Sequence, residues 1–261
     1  MNPTELAKEY FTGLAADMAR YFIFAGIPFF LLYVLLKSKA IHFKIQQKFP
    51  ENKHIVREIS YSLLSMLIFG LFGTAVYSLT KHGYTKIYTD IHEHSIAYFI
   101  FSIIAFIVIH DTYFYWSHRL MHHKKIYPYV HLIHHKSYNP SPWATFAFHP
   151  FEAVAQVLIM PIMIFAMPLH PLAIFAWSMY QLVLNVGGHT GYEFFRSGFT
   201  NRWYTKWSNT ATHHNMHHKY VNCNYGLYFN VWDQLMGTNH ERYHQEFETI
   251  VERRNDVKAN G

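Results

Sequence analysis

The stretch SIAYFIFSIIAFIVIHDTYFYWSHRLMHH, Ser95 to His123, decides how this chain is read. Ser95 to Ile109 carries no charge and no proline, and runs directly into Asp111 and a histidine cluster. Nothing between breaks a helix, so one long helix is expected to leave an apolar phase carrying His118, His122 and His123. The rest of the chain contains more of both territories.

Three further uncharged stretches approach the length that crosses a hydrocarbon layer of about 30 Å at about 1.5 Å per helical residue. Tyr21 to Leu36 is the first and shortest, ending at Lys37; Ile59 to Thr80 lies between Glu58 and Lys81, with Gly70 and Gly73 suited to close helix packing. Ala153 to Tyr192 has no Asp, Glu, Lys or Arg but contains Pro161, Pro168 and Pro171, which predicts a helical hairpin turning near Pro168 to Pro171. The composition agrees with lipid contact, being 51% hydrophobic and 19% aromatic with only 15% charged residues. The expected fold is all-α: a multi-pass membrane helical bundle with a cytosolic helical cap holding a histidine-rich di-metal site. Residues 1–94 form the first membrane helices and a basic loop, 95–240 a catalytic domain containing the hairpin 153–192, and 241–261 a polar tail read as a short helix followed by disorder.

Charge orients this arrangement, because cytosolic loops collect Lys and Arg. The connection from Lys37 to Arg57 holds Lys37, Lys39, Lys44, Lys48, Lys53 and Arg57, whereas Lys81 to His94 holds only Lys81 and Lys86. Counting spans from a cytosolic first connection brings every histidine cluster to the cytosolic side. The net charge of +6 is modest and dispersed, which argues against a nucleic-acid partner. Met1 to Arg20 lacks the pattern of a secretory signal, so the first apolar segment is expected to remain. With no lysine-based or K-D-E-L-type retrieval signal in Val257 to Gly261, a bacterial inner membrane is the expected location, with the endoplasmic reticulum the other candidate.

A single cysteine, Cys223, leaves metal chemistry to imidazole and carboxylate. The histidines recur at helical spacing: H-x-x-x-H-H at His118, His122 and His123, then H-x-x-H-H at His131, His134 and His135 and again at His214, His217 and His218. Residues three and four apart share a helix face, so each group is expected to present its imidazoles in one direction. Three such groups exceed the needs of one ion. Imidazole suits zinc, copper, nickel and iron; the H-E-x-x-H of zinc hydrolases is absent, and carboxylates near the clusters are few: Asp111, Glu152, Glu193 and Asp233. Asp111, seven residues before His118, could accept a hydrogen bond from a ligand imidazole, and His149 and His213 are further ligand candidates. Tyr113 to Trp116 read as interfacial aromatics, and Asn224, Tyr225 and Gly226 as a turn. A histidine-rich membrane metal transporter is the alternative class, but its ligands would sit inside the spans rather than beyond their ends.

The runs HDTYFYWSHRLMHHKKIYPYVHLIHHKSYNPSPWATFAFHPFE, His110 to Glu152, and HHNMHHKYVNCNYGLYFNVWDQLMG, His213 to Gly237, resemble the fatty acid hydroxylase / sterol desaturase superfamily. The A-F-H-P run at Ala147 to Pro150 and the N-Y-G…W-D pattern from Asn224 to Asp233 are most similar to its sterol C-5 desaturase (lathosterol oxidase) branch. The resemblance implies ten metal ligands: His118, His122, His123, His131, His134, His135, His189, His214, His217 and His218. It further implies two iron ions, with zinc able to occupy the same ligands, and dioxygen as co-substrate in hydroxylation or desaturation of a sterol-like or fatty acyl lipid. No haem, nucleotide or iron–sulfur motif is present. Electrons would therefore come from a separate cytochrome b-type protein, or a ferredoxin with its reductase.

Overall fold

A computed structural model describes residues 2–259, and every regular element in it is helical. Helix α1 (Pro3–Phe29) starts where the Asn2 side chain accepts the Glu5 amide at 2.8 Å with Pro3 in the first turn, and its end widens into a π-helical turn over Phe30–Leu35. The expected span from Tyr21 therefore begins eighteen residues earlier, because the polar residues before it continue the helix rather than preceding it. Helices α2 (Asn52–Lys81) and α3 (Ile96–Met121) follow the sequence reading. Ser95 caps α3 by accepting the Tyr98 amide, and the helix then runs unbroken past Ile109 to His118.

Pro3–Leu35, Asn52–Lys81 and Ile96–Met121 are long and apolar enough to cross a membrane, each containing an 18-residue stretch with a mean hydropathy of 1.8. Large side chains such as Ile23, Ile27, Leu71, Ile100, Phe101 and Ile104 face outward on them. Such a belt is stable only against lipid or another apolar surface. Gly70 admits the Tyr10 ring of α1, since a Cβ there would stand 3.0 Å from it. Gly73 makes no such contact and instead lines a cavity.

Two single-turn helices, α4 (Tyr127–Val130) and α5 (Leu132–His135), follow α3. The hairpin then descends as α6 (Pro150–Val157) and α7 (Ile159–Ala166), turns through Met167–His170, and returns as α8 (Pro171–His189). Its turn is pinned to the connection between α2 and α3: Lys86 donates its amide to the Ile164 carbonyl, and Tyr88 to that of Leu169. Both ends of the hairpin consequently lie at the histidine-bearing end of the bundle. Buried Leu14, Tyr21, Met66 and Leu182 join α1, α2 and α8, while Phe106, Ile159, Met163 and Trp177 join α3, α7 and α8.

The cap is completed by α9 (Ala211–Tyr220), α10 (Val231–Leu235) and α11 (Tyr243–Ala259). The tail expected as a short helix followed by disorder forms the 17-residue helix α11, which buries Phe247, Ile250 and Val251 and donates from Arg254 to the Glu193 and Phe195 carbonyls; residues 260–261 lie outside those described. Lys44, counted above among the orienting surface charges, is buried among the rings of Tyr33, Phe49 and Tyr192. Burial lowers its ammonium pKa to about 8.

Candidate metal centre

Nine of the ten histidines converge in two buried groups. His118, His122, His131, His135 and His217 form the first, and His134, His189, His214 and His218 the second, the ligand-capable nitrogens within each lying within 4.8 Å of one another. His118 and His122 are one turn apart at the end of α3, and His214 and His218 one turn apart on α9, as the spacing predicts. The other pairings correct that reading. Within the middle cluster His135 turns to the first group and His134 to the second, and on α9 His217 and His218 divide in the same way. Adjacent helical residues point about 100° apart, so each H-H pair straddles the two groups. His131 sits at the break between α4 and α5, with φ −117° and ψ −15°, rather than on a continuous helix.

His123 is the exception: it is exposed, its Nδ1 accepting the Lys125 amide at 3.4 Å, and it belongs to neither group. It follows His122 where α3 ends, so the rotation that brings His122 inward carries His123 out. His149 caps α6 by accepting the Phe151 amide, and His213, though buried, contacts Asn239 at 3.1 Å and Asp233 at 3.5 Å. Neither His149 nor His213 joins the groups. Asp111 does not reach an imidazole; its carboxylate accepts the amides of Tyr228 and Phe229 at 2.8 and 3.2 Å.

The donor geometry fits bound cations. His118 Nδ1 lies 2.8 Å from the Tyr225 carbonyl, His217 Nδ1 2.7 Å from that of Cys223, and His189 Nδ1 2.8 Å from that of Asn185. A carbonyl only accepts, so each Nδ1 carries the proton and each Nε2 presents a bare lone pair to its group. Within the first group Nε2 atoms stand 2.9 Å apart for His118 and His131, 3.3 Å for His118 and His122, and 3.2 Å for His122 and His135. In the second they stand 3.0 Å apart for His189 and His214, 3.3 Å for His189 and His218, and 3.2 Å for His214 and His218. Nitrogens at right angles around an ion about 2.1 Å away would be separated by about 3 Å. Lone pairs crowded at that distance repel unless a cation lies between them.

Burial also keeps the site neutral. Desolvation first, and then the charges of neighbouring imidazoles, push His122, His131, His134, His214, His217 and His218 well below the ordinary histidine range, and His135 down to about 3. Neutral imidazole is the metal-binding form.

Several supporting groups were not singled out as such by the sequence reading. Glu152, in the first turn of α6, places Oε1 2.7 Å from His131 Nδ1, both side chains being buried. Its signal was present: a lone carboxylate entering an apolar hairpin needs a partner. Asp233 accepts the Tyr225 and Gly226 amides and the Thr238 hydroxyl, which fixes the loop whose carbonyl orients His118. A Cβ on Gly226 would stand 2.5 Å from the Phe229 carbonyl oxygen and 2.9 Å from the Asp233 carboxylate, so the Asn224–Gly226 turn has no room for a side chain there. Glu193 accepts the amide and hydroxyl of Thr212 and holds the start of α9.

The chain is 30% identical to a Delta(7)-sterol 5(6)-desaturase of Gibberella zeae over 85% of its own length and 68% of that protein. It is 28% identical to human lathosterol oxidase, covering 83% and 73% of the two chains, and 29% identical to a Delta(7)-sterol 5(6)-desaturase of Schizosaccharomyces pombe, covering 87% and 70%. No solved structure matches. The family model for fatty acid hydroxylase matches residues 103–238, a segment that runs from the middle of α3 to just beyond α10 and contains all nine converging histidines, and the chain therefore belongs to the fatty acid hydroxylase family.

Proposed function

We propose that this protein is a membrane-bound non-haem di-iron oxygenase that hydroxylates or desaturates a lipid, using dioxygen and electrons from a separate carrier protein. The observation that carries the reading is the division of nine buried imidazoles into groups of five and four, with bare Nε2 atoms at coordination spacing. The ligand set is those nine; His123 is left out on its exposure. An iron pair would supply reductive activation of dioxygen and removal of hydrogen from an unactivated carbon. The chain's own residues hold the nine nitrogens neutral and oriented, with the Glu152 carboxyl 2.7 Å from His131 Nδ1 and the carbonyls of Tyr225, Cys223 and Asn185 fixing three tautomers.

A cavity of about 240 Å³ between α1, α2, α3, α6 and α8 supports a lipid substrate. Two of its wall residues pack on the metal groups: the Phe114 ring lies 4.9 Å from that of His118, and Phe148 lies 5.3 Å from His134. Such a cavity exceeds the about 150 Å³ that admits benzene to a protein interior. The charge count that makes the Lys37 to Arg57 connection cytosolic puts the metal groups, and so the electron donor, on that side. Transport would favour ligands midway along the spans, whereas His118 lies in the last turn of α3 and His189 ends α8.

Metal analysis of the purified full chain, with oxygen uptake under a reducing system, tests the proposal. About two irons per chain with lipid-dependent uptake is the expected result. One zinc per chain and no uptake would overturn it.

A further inference from the structure

The charged side chains on the cavity wall are Asp17 and Arg20 of α1, which lie outside the segment matched by the family. They pair with each other, and Arg20 also donates to the Ser178 hydroxyl of α8 at 3.1 Å. Their level is the middle of the bundle: Trp177, beside Ser178, stacks on Phe106 at 4.0 Å, midway along α3. Ionisable groups at that depth are costly and are retained where they meet a partner or a ligand.

The wall continues from this group to the metal centre along helix faces. On α8, Ser178, Gln181, Leu182 and Asn185 follow the spacing of one face that reaches His189 one turn later. On α3, His110 and Phe114 lead in the same way to His118. The rise from Ser178 to His189 is about 16 Å. At about 1.2 Å per bond of an extended chain, this is about a dozen bonds.

We infer that Asp17, Arg20 and Ser178 bind the hydroxyl end of a lipid alcohol, holding its far carbons against Phe114 and Phe148 for oxidation remote from that hydroxyl. The inference rests on the lipid-oxidation reading and adds the class and direction of its substrate. The anchor is net neutral, which favours an alcohol. A hydroxyl can accept from the guanidinium and donate to the Asp17 carboxylate, whereas a fatty carboxylate would meet Asp17 with like charge. The remaining polar wall residues are neutral, and the buried Gln156 Nε2 lacks a partner, leaving one further donor for a polar ligand atom. A sterol and a straight-chain alcohol share the terminal hydroxyl; in a sterol so held, the ring carbons beside the hydroxyl would lie farthest from the histidines.

Equilibrium binding to the detergent-purified, metal-containing full chain tests this with radiolabelled tetradecan-1-ol, tetradecanoate, tetradecane and cholesterol. An alcohol, straight-chain or sterol, should bind about tenfold more tightly than the alkane, the worth of one or two hydrogen bonds. Whichever alcohol shows that preference identifies the source. Arg20→Met and Ser178→Ala should each erase most of the preference while leaving alkane affinity within about twofold. Equal affinity for alcohol and alkane, tighter binding of the carboxylate, or an unchanged preference in Ser178→Ala would overturn the inference. If Arg20→Met fails to insert, Ser178→Ala carries the test alone. Binding is read independently of turnover, so a chain that binds alcohols without taking up oxygen would fail the oxygenase reading but not this one.

Discussion

The two histidine groups lie side by side yet are supported differently. The first has five imidazoles, and its orientation depends on a carboxylate, Glu152, and on the loop that supplies the Tyr225 and Cys223 carbonyls. The second has four, and His189 is oriented by its own helix through the Asn185 carbonyl one turn back. One group is thus assembled by tertiary contacts from distant parts of the chain, while a tautomer in the other is set locally. The polar loop and the membrane hairpin should therefore be separable by mutation.

Ligand removal gives the largest expected effects. His217→Ala in the first group and His134→Ala in the second should each reduce lipid-dependent oxygen uptake by more than the about 100-fold that loss of an outer partner can cost. Metal analysis sharpens the comparison: each variant should lose the ion of its own group while membrane insertion is retained. Full iron occupancy in either would break the assignment.

Glu152→Gln should weaken metal retention about 10- to 100-fold, selectively at the first group, because an amide replaces the carboxyl that lies 2.7 Å from His131 Nδ1. Chelator competition would measure this, and equal loss from both groups would show that they act as one unit. Gly226→Ala probes the loop alone. Its Cβ meets the Phe229 carbonyl and the Asp233 carboxylate, so a destabilisation of about 1–3 kcal/mol is expected, seen as a lower thermal midpoint in detergent. The smallest effect belongs to His123→Ala, with stability within about 0.5 kcal/mol and unchanged iron content; a lost ion there would return His123 to the site.

Much of the architecture was legible from local pattern. Uncharged runs located α2 and α3, Pro168 and Pro171 marked the hairpin turn, and the histidine spacing named eight of the nine converging residues, His189 coming from the family resemblance. The start of α1 and the packed helix α11 were less visible, since both are polar in sequence and owe their order to capping and tertiary contact. Glu152 went unassigned because the partner that explains it, His131, approaches through the fold rather than along the helix.

Sequence by itself determined that this chain meets lipid and carries imidazole in clusters, because hydrophobic runs and i, i+4 spacing are properties of the chain alone. Only the tertiary structure decided how the clusters interleave. His134 parts from His135 and His217 from His218, whereas His123 leaves the site altogether, because neighbouring side chains diverge and each takes whichever surroundings the packed helices provide.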